Sequence, residues 1–186
     1  MPVKQVTTDS ENRMKKAVEV LQDEFKSVRT GRASTGLVEN IKVEYYGNPT
    51  PLKALAALST PQPDMILVKP FDPGSIKDID KGILASEVGL TPMVDGKVIR
   101  LNVPPLTEER RRQLAQQVKG LGEQTKVSVR NVRRDAIKLL EKEEKDKLIT
   151  EDDLEKGKKQ LDDLTKQYTD KADQVVKHKS DEIMQS

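Results

Sequence analysis

The chain has 186 residues, with 33 Lys and Arg against 31 Asp and Glu, for a formal net charge of +2. That near-balance excludes a global positive field, so attraction to any polyanion must come from local segregation of charge. The absence of Cys excludes disulfides, thiol catalysis and thiolate metal sites, and a single His leaves no multi-histidine metal centre.

Nine of the 10 Pro and 7 of the 10 Gly lie between Gly31 and Leu106, so long helices are expected outside that segment and a β-containing unit inside it. The opening Met1-Pro2-Val3-Lys4 has neither an apolar signal core nor an Arg-rich transit pattern. The first flank reads as a helix from about Asp9 to Thr30, because Met14, Ala17, Val18, Leu21, Phe25 and Val28 step by three or four residues. Gly31 marks its stop.

In the middle segment Ile41 to Tyr45 alternates and then turns at Gly47-Asn48-Pro49. The Tyr45-Tyr46 pair reads as half core and half surface. Ser59-Thr60-Pro61-Gln62-Pro63 reads as loop, Met65 to Lys69 as a short strand, and Ser75 to Val88 as a helix. Asp95-Gly96 separates Thr91–Val94 from Lys97–Val103 in a hairpin signature. The apolar runs Ala54–Leu58 and Met65–Val68 fall far short of the roughly 20 residues that span a bilayer. A soluble, cytoplasmic protein with no membrane association is expected. Two stretches join this unit to the flanks, Thr30-Gly31 going out and Val103-Pro104-Pro105-Leu106 coming back. They read either as a paired hinge or as ordinary helix boundaries.

The second flank opens with Thr107-Glu108-Glu109, a capping residue followed by carboxylates at the positive helix end. Leu114, Val118, Leu121, Thr125, Val129, Val132, Ala136 and Leu139 keep the helical step to about Lys147. Thr150 with Asp153 then has capping-box spacing, and Leu154, Leu161, Leu164, Tyr168, Val175 and Ile183 carry a third stripe. Each stripe is too narrow for a helix buried on all sides. The fold class expected is therefore a two-domain α+β protein: an elongated three-helix bundle (1–30 and 107–186) with a small α/β-containing domain (31–106) inserted between helices one and two.

Charge is most segregated on the second helix. From Arg110 to Arg134 it carries 8 basic residues and a single acid, Glu123, and Glu141 to Glu155 carries 8 acids and 3 Lys. At about 100° per residue, Arg112, Lys119, Lys126 and Arg133 line up, with Arg130 and Arg134 to either side. The ridge is expected to lack acidic partners, Glu123/Lys126 excepted, whereas the third helix has pairs such as Asp162/Lys166. Like charges left unpaired repel, and a polyanion turns that repulsion into binding energy. The competing reading is a solvated face laced with ion pairs. No aromatic lies in the basic segment, and Arg outnumbers Lys six to two. Both features fit structured nucleic acid held by backbone and shape, with RNA and DNA left open.

No catalytic constellation is present: there is no Gly-rich phosphate loop, His178 sits between Lys177 and Lys179, and no cofactor or metal is expected. Asp152-Asp153 reads as a helix start and Asp162-Asp163 as a solvated face rather than as metal ligands. An alternative non-catalytic class is a helical adaptor that binds an acidic protein through the same ridge.

Thr30-Gly31-Arg32-Ala33-Ser34, Val43 to Gly47, Ser86 to Pro92, Leu106 to Arg111, Val129 to Ala136 and Glu151-Asp152-Asp153 together resemble the ribosome recycling factor family. The resemblance runs in order over nearly the whole chain, with Gly82 and Gly122 as departures from it. It implies a tRNA-shaped, two-domain, monomeric factor that binds ribosomal RNA of the large ribosomal subunit. With elongation factor G, and GTP hydrolysed by that partner, such a factor splits the post-termination ribosome into subunits. The resemblance makes Arg133 the main RNA anchor, with Arg29, Arg110, Arg130 and Arg134 as helpers. It also implies a hinge at Thr30, Gly31, Pro104 and Pro105.

Overall fold

A computed structural model of the chain describes residues 3–185; Met1, Pro2 and Ser186, and with them part of the opening segment read above, lie outside the described residues. Internal packing divides the chain into two compact units, Met1–Phe25 with Ala115–Asp181, and Lys26–Leu114 with Glu182–Ser186. The borders at Phe25/Lys26 and Leu114/Ala115 fall several residues away from the expected borders at 30/31 and 106/107.

The first unit is helical. It is built from α1 (Val3–Lys26), α4 (Glu108–Lys145, from Ala115 on) and α5 (Glu151–Gln185, up to Asp181). Helix α1 starts earlier than expected and ends at Lys26, short of Gly31. Its early start has a local cause: the Thr8 and Ser10 hydroxyls donate to the Lys4 and Val6 carbonyls at 2.8 and 2.7 Å. These polar side chains are satisfied within the helix instead of capping a later start.

Val6, Ala136, Leu140, Leu154 and Leu161 form one buried cluster joining the three helices, with Val3, Ile137 and Ile149 packed against it. Each such aliphatic side chain contributes on the order of 1.5–3 kcal/mol when fully buried. Tyr168 is buried, and its hydroxyl donates to Glu11 Oε1 across to α1 at 3.3 Å. Burial first, and then the Glu11 charge, pushes this phenol above its ordinary pKa. Gly122 sits where a Cβ would run into Val176 Cγ2, so the mid-helix glycine permits close approach of α4 and α5.

Both caps expected on the long helices form. Thr107 Oγ1 accepts from the Arg110 amide at 3.2 Å. Thr150 Oγ1 accepts from the Asp153 amide at 3.1 Å, and Asp153 Oδ2 accepts in return from the Thr150 amide at 3.2 Å. Helix α4 ends in a Schellman arrangement, with Leu148 N bonded to Glu143 O and Lys147 N to Glu144 O, both at 2.9 Å. The left-handed position in it is filled by Lys147 at φ 57°.

The second unit holds a two-stranded hairpin, β1 (Lys42–Tyr45) and β2 (Asn48–Pro51), and a four-stranded antiparallel sheet of order β3-β4-β6-β5. The sheet strands are β3 (Ala56–Gln62), β4 (Met65–Pro70), β5 (Pro92–Asp95) and β6 (Val98–Asn102), with the one-turn helix α2 (Leu52–Leu55) preceding them. Helix α3 (Ile76–Ala85) lies between β4 and β5 in sequence and buries Ile79 and Ile83. They join Val43, Leu52, Ile66, Val68, Ile99 and Leu101 in a single core.

Ser59 to Gln62, expected as loop, belongs to β3. This strand is at the sheet edge and its register shifts between Ser59 and Gln62, the setting in which Pro61 is tolerated in a ladder. The first hairpin turns at Tyr46-Gly47, both at positive φ (48° and 78°), one residue earlier than the expected Gly47-Asn48-Pro49. Tyr45 packs against the core, its hydroxyl donating to Asp72 Oδ2 at 3.2 Å, while Tyr46 is exposed.

Candidate nucleic-acid interface

Helical spacing places the basic residues on α4, but the neighbouring helix decides which of them are available. Lys126 is the least available. Its Nζ lies 2.7 Å from Glu123 Oε1 and 2.9 Å from Asp173 Oδ1, and its side chain is only 16% exposed. The Glu123 hydrogen bond first, and Asp173 next, hold this ammonium above its ordinary pKa. Arg112 pairs with Glu108 within α4. Arg133 Nε lies 2.6 Å from Asp162 Oδ1.

The Glu123/Lys126 pair forms as expected, but the expectation of a ridge otherwise free of internal counterions fails at Arg112, which Glu108 meets one turn back on α4, and at Lys126 and Arg133, which Asp173 and Asp162 of α5 meet. The physical reason is that α4 and α5 run antiparallel along a seam of cross-helix pairs, Lys126–Asp173, Arg133–Asp162 and Glu141–Lys158, the last at 3.2 Å. Asp162 turns to Arg133 instead of to Lys166 on its own helix. Asp135, two residues past Arg133, pairs with Arg13 of α1 at 3.6 Å.

The remaining cations stand apart from that seam. Among the described residues, Arg130, Arg134, Lys119 and Arg110 have no carboxylate within ion-pair distance, and all four are exposed. Arg110 instead donates to Gln113 Oε1 at 3.1 Å. Arg130, Arg133 and Arg134 converge with Lys138 on a groove of about 370 Å³, whose other walls are Ile137 and Glu141. Arg130, Arg134 and Lys138 follow one another at four-residue steps along one helix face. Three cations at that spacing beside a shallow groove suit a run of phosphates better than a single compact anion.

Arg133 is the junction of the two arrangements. Its Nε is buried and close to Asp162, yet the N–H is not aimed at the oxygen, so the contact is an ion pair and not a hydrogen bond. Its side chain remains 41% exposed.

Arg29, Arg110 and Arg112 belong to the other unit. There Arg29 is half-buried beside Gly89, with its Nε lacking a hydrogen-bond partner. Thr30 is buried, Gly31 takes φ 83°, and Pro104 and Pro105 are exposed. Two cations escaped the sequence reading. Lys138 lies one helical turn beyond the basic run that ended at Arg134, and i,i+4 counting extended past Arg134 finds it. Arg111 is half-buried with a buried Nε lacking a hydrogen bond, for which the sequence carries no signal. Among the described residues no three His, Asp or Glu side chains converge as a metal site, and no helix is long and apolar enough to cross a membrane.

The family model for ribosome recycling factor matches residues 21–184. The chain belongs to the ribosome recycling factor family. The ribosome-recycling factor of Pelobacter propionicus is 48% identical over 182 residues, covering 98% of each chain. That of Natranaerobius thermophilus is 50% identical over 175 residues, covering 94% of this chain and 95% of its own. A solution structure of the ribosome recycling factor superposes with a TM-score of 0.81 at 40% identity, covering 100% of this chain and 99% of that one. A chain from models of the T. thermophilus ribosome recycling factor and the E. coli elongation factor G bound to the E. coli post-termination complex gives a TM-score of 0.69 at 36% identity. The mixed fold, helical bundle plus small sheet domain, is thus that of solved ribosome recycling factors. Members are non-catalytic translation factors, and the activity of this chain is ribosome recycling.

Proposed function

We propose that the protein anchors on the large ribosomal subunit through phosphates of ribosomal RNA and, with elongation factor G and the GTP that this partner hydrolyses, parts the post-termination ribosome into subunits. The observation that carries this reading is the exposed row of Arg130, Arg134 and Lys138, none of them in an ion pair among the described residues, converging with Arg133 on one groove. Arg133 is the main anchor. Arg29, Arg110, Arg112 and Lys119 add phosphate contacts, and Lys126 is assigned instead to holding α4 against α5. Contact is with backbone and shape, because the Arg110–Arg134 stretch offers no ring for stacking.

Thr30-Gly31 and Pro104-Pro105 serve as the paired hinge. Gly31 at φ 83° accepts a backbone conformation that other residues resist, and the two prolines limit the freedom of the return strand. The bundle holds the subunit while rotation of the smaller domain, driven by the GTPase partner, strains the contacts between subunits. No bond is made or broken by this chain, which acts as a cytoplasmic monomer and not as an enzyme.

The test is gradient profiling of post-termination ribosomes incubated with the protein, elongation factor G and GTP. Splitting into subunits is expected, and intact ribosomes contradict the reading. Arg133→Ala is expected to weaken large-subunit binding by about 1–3 kcal/mol, the scale of a charge-assisted contact. Unchanged affinity in co-sedimentation removes the anchor role. Retention from cell extract that survives nuclease treatment favours the acidic-protein adaptor instead.

A further inference from the structure

Asp162 and Asp173 occupy the same face of α5, eleven residues apart, and each meets a cation of α4 across the seam. The two pairs are built differently. Lys126 is covered, held by two carboxylates and hydrogen-bonded to both, which is the arrangement of a clasp. Arg133 meets one carboxylate, Asp162, whose Oδ1 lies 2.6 Å from the buried Nε of its guanidinium. Neither of its Nη groups has a protein hydrogen-bond partner among the described residues. The side chain nevertheless lines the groove beside Arg130, Arg134 and Lys138.

We infer that Asp162 is a positioning residue for Arg133: it holds the guanidinium by its Nε side and leaves the Nη edge for an RNA phosphate. This rests on the proposed anchor role of Arg133 and extends it to a second residue. Arginine binds phosphate best through two parallel N–H groups of its planar fork, and a carboxylate ion-paired at the Nε side restrains the guanidinium before contact without occupying a hydrogen bond. A long side chain restrained in advance has less freedom to lose when it binds. Asp162 also places a negative charge near the phosphate site, and that charge alone opposes binding. Electrostatics and positioning therefore predict opposite signs for its removal.

The experiment is co-sedimentation with purified large subunits at fixed salt, using the full chain. Asp162→Ala and Asp162→Asn are expected to weaken binding about three- to tenfold although each removes a negative charge, and Asp162→Glu is expected to recover part of the loss. In an Arg133→Ala background the Asp162→Ala change is expected to alter affinity less than about twofold, since the residue being positioned is gone. Asp173→Ala, which removes the clasp, is expected to lower the melting temperature and leave affinity within about twofold of the unsubstituted protein. Tighter or unchanged binding by Asp162→Ala, equal loss in both backgrounds, or equal loss from Asp173→Ala overturns the positioning role. If Arg133→Ala itself binds normally, the anchor reading has failed and the positioning role falls with it. If Arg133→Ala weakens binding while Asp162→Ala does not, the positioning role alone has failed.

Discussion

Two glycines two residues apart on α4 behave in opposite ways. By helix propensity alone each costs up to about 1 kcal/mol relative to Ala. A Cβ at Gly120 meets nothing within 4 Å, so Gly120→Ala is expected to raise stability by about 0.5–1 kcal/mol in thermal or denaturant unfolding. At Gly122 the same methyl collides with Val176, a β-branched side chain with little rotamer freedom. Gly122→Ala is therefore expected to destabilise, and Val176→Ala to relieve that effect in the double variant. Sequence alone registers only a propensity loss at Gly122, because Val176 on the opposing helix sits 54 residues away in the chain and no local rule reports it. Lys147 is the converse case, an ordinary residue held at φ 57° where glycine is preferred. Lys147→Gly is expected to stabilise by about 1 kcal/mol in the same unfolding measurement, by removing the left-handed strain.

Elements that depend on local chemistry were legible. The 3.6-residue stripes located all three long helices, and Thr107 and Thr150 marked two of their starts to within a residue. Asp153 adds a pH signature to the second of these caps. The Thr150 hydroxyl first, and then the Thr150 amide, holds its carboxyl below the usual 3.8. A carboxylate with a folded pKa below its unfolded one contributes stability that is complete above the unfolded value and lost as pH falls through the folded value. The stability advantage of the natural protein over Asp153→Asn is thus expected to be complete near neutrality and to disappear in strong acid, once the pH has fallen through the lowered folded value. An advantage that persists in strong acid would contradict the capping-box geometry.

What was not legible came from pairing between distant segments. Ser59 to Gln62 has no apolar alternation, and its strand character is supplied by hydrogen bonds to β4. The cross-helix ion pairs are a matter of register between α4 and α5, which spacing within α4 does not encode. The row of outer cations was legible to Arg134 because unopposed charge at four-residue steps is itself a local pattern.

At the scale of the whole molecule, a near-neutral chain works as a polyanion-binding protein by sorting its charges. The seam between α4 and α5 absorbs Lys126 and part of Arg133, while Arg130, Arg134 and Lys138 remain outside it. This sorting makes salt dependence the most direct readout, because every phosphate neutralised by a cation releases counterions. The decisive measurement is large-subunit affinity across a salt series for the natural protein, Arg130→Gln/Arg134→Gln and Lys126→Gln. The account predicts that log affinity falls linearly with log salt. It also predicts that the double variant loses about one unit of slope per arginine and that Lys126→Gln keeps the natural slope. A flat salt dependence, or a slope lost only through Lys126, would contradict it.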